Sequence, residues 1–250
     1  MFTVAAESYD RFMGRYSAPL APQLAELAGV AGGQRVLDVG CGPGALTAEL
    51  VRRAGAANVA AVDPSEPFVA AARERQPGVD VRQASAEELP FEDGAFDASL
   101  AQLVVHFMSD PVRGLGEMGR VTHDGGVVAA CVWDCAGRTG PLSPFWAAVH
   151  ELDPEADDES ARAGARQGHL VELFREAGLR DTEEATLAVE VRHPSFEEWW
   201  EPFTLGVGPA GAYLAGLDPE AQAQLRERCR ARLPGDLVVT ARAWAARGLA

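Results

Sequence analysis

The sequence predicts an α/β fold: a doubly wound, mostly parallel sheet of seven strands, with an N-terminal helical lid and an insertion after the fifth strand. Two observations carry that prediction. Beyond the first 34 residues, short β-rich runs alternate with amphipathic stretches, the spacing expected of βαβ units. The run Val127 to Trp133 is also almost continuously apolar, as a strand covered on both faces must be.

Each element follows from local chemistry. Arg35 to Val39 reads as a strand, followed by a glycine-rich turn and a helix from Ala45 to Ala54. Leu46, Leu50 and Val51 share one face of that helix, and Gly55 supplies its stop. Val59 to Val62 is the second strand, after which Ser65 can cap a helix that tolerates Pro67 in its first turn. Val79 to Gln83, Phe96 to Leu100 and Val127 to Trp133 continue the set, with a helix over Val112 to Val121 joining the last two. Further on, Gly137 to Pro144 is turn-rich and Glu151 to Glu159 is an acidic, exposed stretch. His169 to Ala177 is helical and stops at Gly178. Thr186 to Arg192 is a strand, Phe196 to Phe203 is aromatic-rich, Pro219 to Leu233 is a charged helix, and Leu237 to Trp244 is the last strand.

Bulk properties narrow the function. Apolar residues make up 47% of the 250 positions and charged residues 24%, the balance of a globular chain. No basic start followed by an apolar stretch marks a signal peptide, and the apolar runs fall short of the ~20 residues that a membrane span needs. The cytoplasm is the expected location, with no membrane partner. The net charge of −15 repels phosphates, so nucleic acid is not an expected partner. Arg226, Arg228, Arg230 and Arg232 alternate with Glu227 and apolar residues and read as a solvated helix face. Cys131 and Cys135 lack the second Cys or His pair of a zinc set, so no metal is expected, and the cysteines read as small buried side chains.

The informative segment is Val36-Leu37-Asp38-Val39-Gly40-Cys41-Gly42-Pro43-Gly44, an apolar strand entering a loop of alternating glycines. Glycines permit positive φ and let a ligand approach the backbone closely. Strand, loop and helix place that ligand at a strand's carboxyl end. Two acids sharpen the signal. Asp38 interrupts an apolar strand, where a carboxylate is costly unless it is paired. Asp63 ends the second strand, 23 positions after Gly40, where one carboxylate can accept hydrogen bonds from both hydroxyls of a ribose. A nucleotide cofactor follows. Gly40-x-Gly42-x-x-Ala45 also satisfies the dinucleotide fingerprint, so NAD(P) and an oxidoreductase stand as the alternative. A pyrophosphate would set negative charge beside Asp38, however, whereas an amino group or sulfonium would be welcome there.

VLDVGCGPG, then AAVDPSEPFVAAAR, QASAEELPFEDGAFD and DPVRGLGEMGRVTHDGG, resemble the class I S-adenosylmethionine-dependent methyltransferases, nearest to the ubiquinone/menaquinone-biosynthesis C-methyltransferases. The resemblance covers Tyr9 to about Trp133, with a weaker echo beyond. It implies a Rossmann-like fold that binds S-adenosylmethionine and releases S-adenosylhomocysteine. Gly40 and Gly42 would lie against the methionine part and Asp38 near its amino group. Asp63 would hold the ribose, Ser85 and Ala86 would border the adenine, and Gln102 would face the methionine end. Similar proteins often carry Asp-Ala at the position of Ser85-Ala86, and a serine is a shorter, neutral acceptor. Tyr9, Met13 and Tyr16 share one helical face. In similar proteins such a helix closes over the cofactor, which makes Tyr16 a candidate contact.

The expected organisation is one domain: a lid over 1–34, a cofactor-binding core over 35–134, and a substrate-side insertion with the C-terminal strands over 135–250. Methyl transfer from a sulfonium is an in-line displacement, for which the enzyme mainly aligns and dries the reactants. His106 lies where a small-molecule acceptor should enter, either as a general base or as a pocket histidine without chemistry. Trp133, Phe145, Trp146, Phe196, Trp199, Trp200 and Phe203 read as walls of an apolar acceptor pocket or as core, with Trp199 and Trp200 leaning to a lid. Ala101-Gln102-Leu103-Val104 stands where similar enzymes for base or amide nitrogens carry an Asn-Pro-Pro-Tyr type motif, which argues against those acceptors. A protein that binds the cofactor without turnover is a further alternative.

Overall fold

The computed structural model describes residues 6–233 and 237–250; residues 1–5, at the head of the expected lid, and 234–236 lie outside the described part. The seven strands are β1 (Val36–Val39), β2 (Val59–Asp63), β3 (Asp80–Gln83), β4 (Phe96–Gln102), β5 (Thr122–Trp133), β6 (Arg180–His193) and β7 (Leu237–Leu249). They form one sheet in the order β3-β2-β1-β4-β5-β7-β6. The first five pair in parallel, and β7 runs antiparallel between β5 and β6. The chain moves outward from β1 to β3 on one side, then returns to β4 on the other. That reversal parts the loops at the carboxyl ends of β1 and β4 and opens a crevice there.

Period-two alternation assigns the two faces of β1. Val36 packs with Leu46 and Leu50 of α3 (Ala45–Ala54) and with α2 (Arg15–Leu27), whereas Leu37 and Val39 pack with Leu115 and Met118 of α5 (Pro111–Val121) and with α7 (His169–Glu176). Ahead of α2, α1 (Ala6–Tyr9) passes through a π-helical turn at Asp10–Gly14. α4 (Glu66–Arg75) covers the β2–β3 end through Val69 and Ala72. Gly55 closes α3 at φ 88°, and Asp110 caps α5 by accepting the Arg113 N–H at 3.0 Å. Ser65 holds the N-cap position of α4, but its side chain makes no capping bond there.

The C-terminal half differs most from expectation. α6 (Ser143–Leu152) begins inside the stretch read as turns, and α8 (Phe196–Trp200) and α9 (Gly208–Gly216) are separate helices. β6 starts at Arg180 rather than Thr186, because β7 pairs with it along nearly its whole length. Trp199 and Trp200 are core rather than lid: they are 2% and 7% exposed. They pack with Phe203, which stacks on the fully buried Phe145 at 4.6 Å and 8°. In α10 (Pro219–Arg232), Leu225 and Cys229 are buried. The arginines stay on the solvated face, where they are also paired: Arg226 and Arg230 reach Glu197 at 3.3 and 2.8 Å, and Arg228 and Arg232 reach Glu151. Among the described residues no helix is long and apolar enough to cross a membrane. Phe145→Ala should cost roughly 3–5 kcal/mol, the range for deleting a buried aromatic ring, read as a lower urea midpoint with an unchanged slope.

Candidate active site

The loop after β1 is fixed from beneath. Gly40 and Cys41 both donate to the Val62 carbonyl, at 2.8 and 2.9 Å. Gly40, Gly42 and Gly44 hold φ of 69°, 53° and 100°, a region that side chains with a Cβ enter at a cost of about 1–2 kcal/mol. Space separates the first two. A Cβ on Gly40 would meet both Val104 methyls at 2.5 Å, whereas one on Gly42 would meet nothing within 4 Å. Gly42 is therefore the glycine that faces open space, and Gly40 makes room for packing.

Asp63 joins the two loops. It accepts the Gly42 N–H at 2.9 Å on one oxygen and the Ser65 N–H at 2.8 Å on the other. Burial raises its pKa, and those two N–H groups oppose the rise. Each oxygen keeps a lone pair for a further donor. Asp38 is 1% exposed and takes the Thr47 hydroxyl at 2.6 Å on Oδ2, while its buried Oδ1 has no partner. Burial pushes its pKa up to about 7, against the Thr47 hydrogen bond and with help from Asp63. Gln102 ends β4, donates to the Ser17 carbonyl of α2 at 3.0 Å, and leaves its own buried Oε1 unpartnered.

Gly40, Gly42, Asp63, Ser85, Ala86 and Gln102 line one cleft at the carboxyl ends of the strands, enclosing about 1190 Å³ with its open mouth included. Asp38 is buried and is not among the residues that line this cleft. Tyr16 does not reach it. Its hydroxyl meets His193 Nε2 at 2.8 Å, while Arg15 donates to His193 Nδ1 at 2.8 Å. With Nδ1 accepting, Nε2 carries the proton and donates to Tyr16. Burial and Arg15 lower the His193 pKa to about 4, in keeping with a neutral ring. The spacing placed Tyr9, Met13 and Tyr16 on one face, but the helix axis carries Tyr16 over β6 and brings Tyr9 to the cleft.

His106 opens instead onto a second cavity of about 770 Å³, walled by Trp133 and Trp146 among other apolar groups. Tyr9, Leu103 and Phe107 border both spaces and form the partition between them. Leu103 holds this place in the left-handed region at φ 62°, an uncommon conformation for a bulky side chain. His106 Nδ1 is buried without a partner, and burial, with Arg162 adding, pulls its pKa down to about 3. Glu159, expected in an exposed acidic stretch, is 8% exposed and lines this cavity. Nothing in the acidic run Glu155-Ala156-Asp157-Asp158-Glu159 signals that burial. Leu103 and Phe107 carry no motif of their own; their position just after β4 was the available signal.

Residues 37–130 match the methyltransferase domain family. An uncharacterized protein of Mycobacterium bovis is 34% identical over 223 residues, covering 85% of this chain and 80% of that protein. The chain belongs to the methyltransferase domain family. A 2-methyl-6-phytyl-1,4-hydroquinone methyltransferase of Oryza sativa subsp. japonica is 34% identical over 59% of this chain, and the match spans only 39% of that relative's length. In fold, a geranyl diphosphate C-methyltransferase of Streptomyces coelicolor, solved with Mg2+, geranyl diphosphate and S-adenosylhomocysteine, superposes with a TM-score of 0.56 at 17% identity, covering 95% of this chain and 80% of that one.

The first two glycines of the loop should respond differently to alanine. Gly40→Ala should lower the melting temperature more than Gly42→Ala, which carries only the positive-φ cost of about 1–2 kcal/mol. Equal losses of stability would contradict the packing difference.

Proposed function

We propose that the protein transfers a methyl group from S-adenosylmethionine to a small, partly apolar acceptor by in-line displacement. The observation that carries this reading is the pair of cavities meeting at Tyr9, Leu103 and Phe107, with the glycine loop and Asp63 on one side and an apolar chamber on the other. The first cavity fits the cofactor through four features: the open space at Gly42, the free lone pairs of Asp63, and the orphaned oxygens of Asp38 and Gln102. The Asp63 carboxylate takes the ribose hydroxyls, and Gly40 and Gly42 lie against the methionine part. Asp38 offers Oδ1 toward the amino group, Gln102 holds the methionine end, and Ser85 and Ala86 border the adenine. When bound, the cofactor supplies an electrophilic sulfonium methyl.

The chain's own work is then alignment and exclusion of water. Leu103, Phe107 and Tyr9 set the line between the cavities. His106 faces the acceptor as a neutral imidazole. With its pKa near 3 it accepts a hydrogen bond readily but retains a proton weakly at neutral pH, which favours an orienting role over that of a strong base. The relatives' named substrates, a phytyl hydroquinone and geranyl diphosphate, lend support to an apolar acceptor, as the charge of −15 does against nucleic acid.

Calorimetric titration with S-adenosylhomocysteine tests the cofactor assignment. Wild type should bind, and Asp63→Ala should lose 1–3 kcal/mol, on the order of lost hydrogen bonds to a charged group; binding unaffected by Asp63→Ala would refute it. Asp38 adds a pH signature. Its folded pKa is raised above the ordinary value of about 3.9. The stability it contributes to the free protein is therefore full below that value and lost as pH rises toward 7. A cationic amino group beside it favours the ionised form. Affinity should then climb with pH across roughly 5 to 7 and level off, by at most one decade per pH unit. Asp38→Asn should flatten the curve.

A further inference from the structure

We infer that Glu159 anchors the acceptor, and that the acceptor is an uncharged apolar compound whose polar group is a hydroxyl. This rests on reading the second cavity as the acceptor side. Among the described residues, three buried polar atoms of that cavity lack partners, Trp133 Nε1, Trp146 Nε1 and His106 Nδ1, and the Glu159 carboxylate lines the same cavity beside the Trp146 indole, with Arg162 acting on its charge. Glu159, Trp133 and Trp146 are 8%, 5% and 8% exposed. Native structures leave few buried polar groups unsatisfied, and each costs about 1–3 kcal/mol. Three around one largely apolar chamber, with a buried carboxylate among them, mark the contact points of a ligand.

Their chemistry selects that ligand. The indoles can only donate, and an ionised carboxylate can only accept. The Trp146 indole faces Glu159, yet no hydrogen bond of ordinary geometry closes between them. A hydroxyl satisfies both kinds of group, donating to Glu159 and accepting from an indole. An ammonium has no lone pair for the indoles, and a carboxylate has no proton for Glu159. A carboxylate would also meet the charges of Asp158 and Glu159, while the lining cation, Arg138, is exposed. Arg162 lies over the Phe107 ring at 5.3 Å and acts on both Glu159 and His106, so the chamber is not a purely anionic cage for a cation. Burial raises the Glu159 pKa, as expected of a carboxyl held for a neutral donor rather than for a counter-ion.

Three probes with one ring system separate these chemistries: 2-naphthol, naphthalene-2-carboxylate and 2-naphthylmethylammonium, titrated calorimetrically into the whole chain. The wild type should bind 2-naphthol about tenfold more tightly than either ion. Glu159→Gln should remove most of that preference, chiefly by weakening 2-naphthol. Trp146→Phe, which keeps an aromatic wall but deletes one donor, should weaken 2-naphthol severalfold and serves if Glu159→Gln does not fold. Preference for either ion, binding of none of the three, or an unchanged preference in the variants that fold would overturn the inference. The S-adenosylhomocysteine titration reports on the cofactor side separately. Failure there with the naphthol preference intact would remove the methyl-transfer reading and leave the hydroxyl site standing.

Discussion

The hydrogen bond from the Gly42 N–H to Asp63 Oδ2, at 2.9 Å, holds the site together. It closes the loop of β1 onto the end of β2 and keeps an acid pointing at the crevice rather than into solvent. The bond requires both strands to end at the same height, which the in-register parallel pairing of Val36 to Val39 with Val59 to Val62 supplies. It also requires a loop that can turn with positive φ three times in five residues, from Gly40 to Gly44. The alternating glycines meet that need at the lowest steric cost. The sheet order then matters because β4, not β2, lies on the other flank of β1. The gap between the two loop systems opens at that junction and nowhere else along β1.

The second constraint is the partition. Leu103 turns sharply after β4 in a conformation unusual for leucine, and its N–H is tied to the Cys131 carbonyl at 2.9 Å. That bond anchors the turn to β5. Strain of this kind persists only where the surroundings over-determine it. Here it places a bulky apolar side chain between a polar cleft and an aromatic chamber. Asp134, at the end of β5, accepts the Gly137 N–H and the Thr139 hydroxyl at 2.8 and 2.6 Å. These bonds fold the next loop so that α6 brings Trp146 to the far wall.

The first half of the chain was legible because its signals are local. Apolar runs of four or five residues, glycine stops and the cap at Asp110 each act within a few positions, and they place β1 to β5 to within a few residues. The glycine loop and Asp63 could be read for the same reason: spacing along two adjacent strands translates directly into proximity. Tyr16 was misplaced because a helical face says which residues share a side, not what that side meets. Trp199 and Trp200 looked like a lid because two adjacent tryptophans in a charged neighbourhood resemble a surface feature. Their burial depends on Phe145 and Phe203, which no local pattern links to them. The arginines of α10 are solvated as read, but their partners Glu151 and Glu197 are distant in sequence and carry no local signal.

The sequence by itself therefore determined the α/β class, the meeting of the glycine loop with Asp63 at the strand ends, and the family resemblance that the comparisons bear out. All of these are set by periodicity and by short-range backbone requirements. Only the tertiary structure decided which side chains line the second cavity. Glu159 sits in a run of acids that any local reading leaves in water, yet the chain returns it beneath Trp146 and out of solvent. A carboxylate's surroundings are set by what packs around it from far along the chain. Its burial can be known only once those distant segments have met.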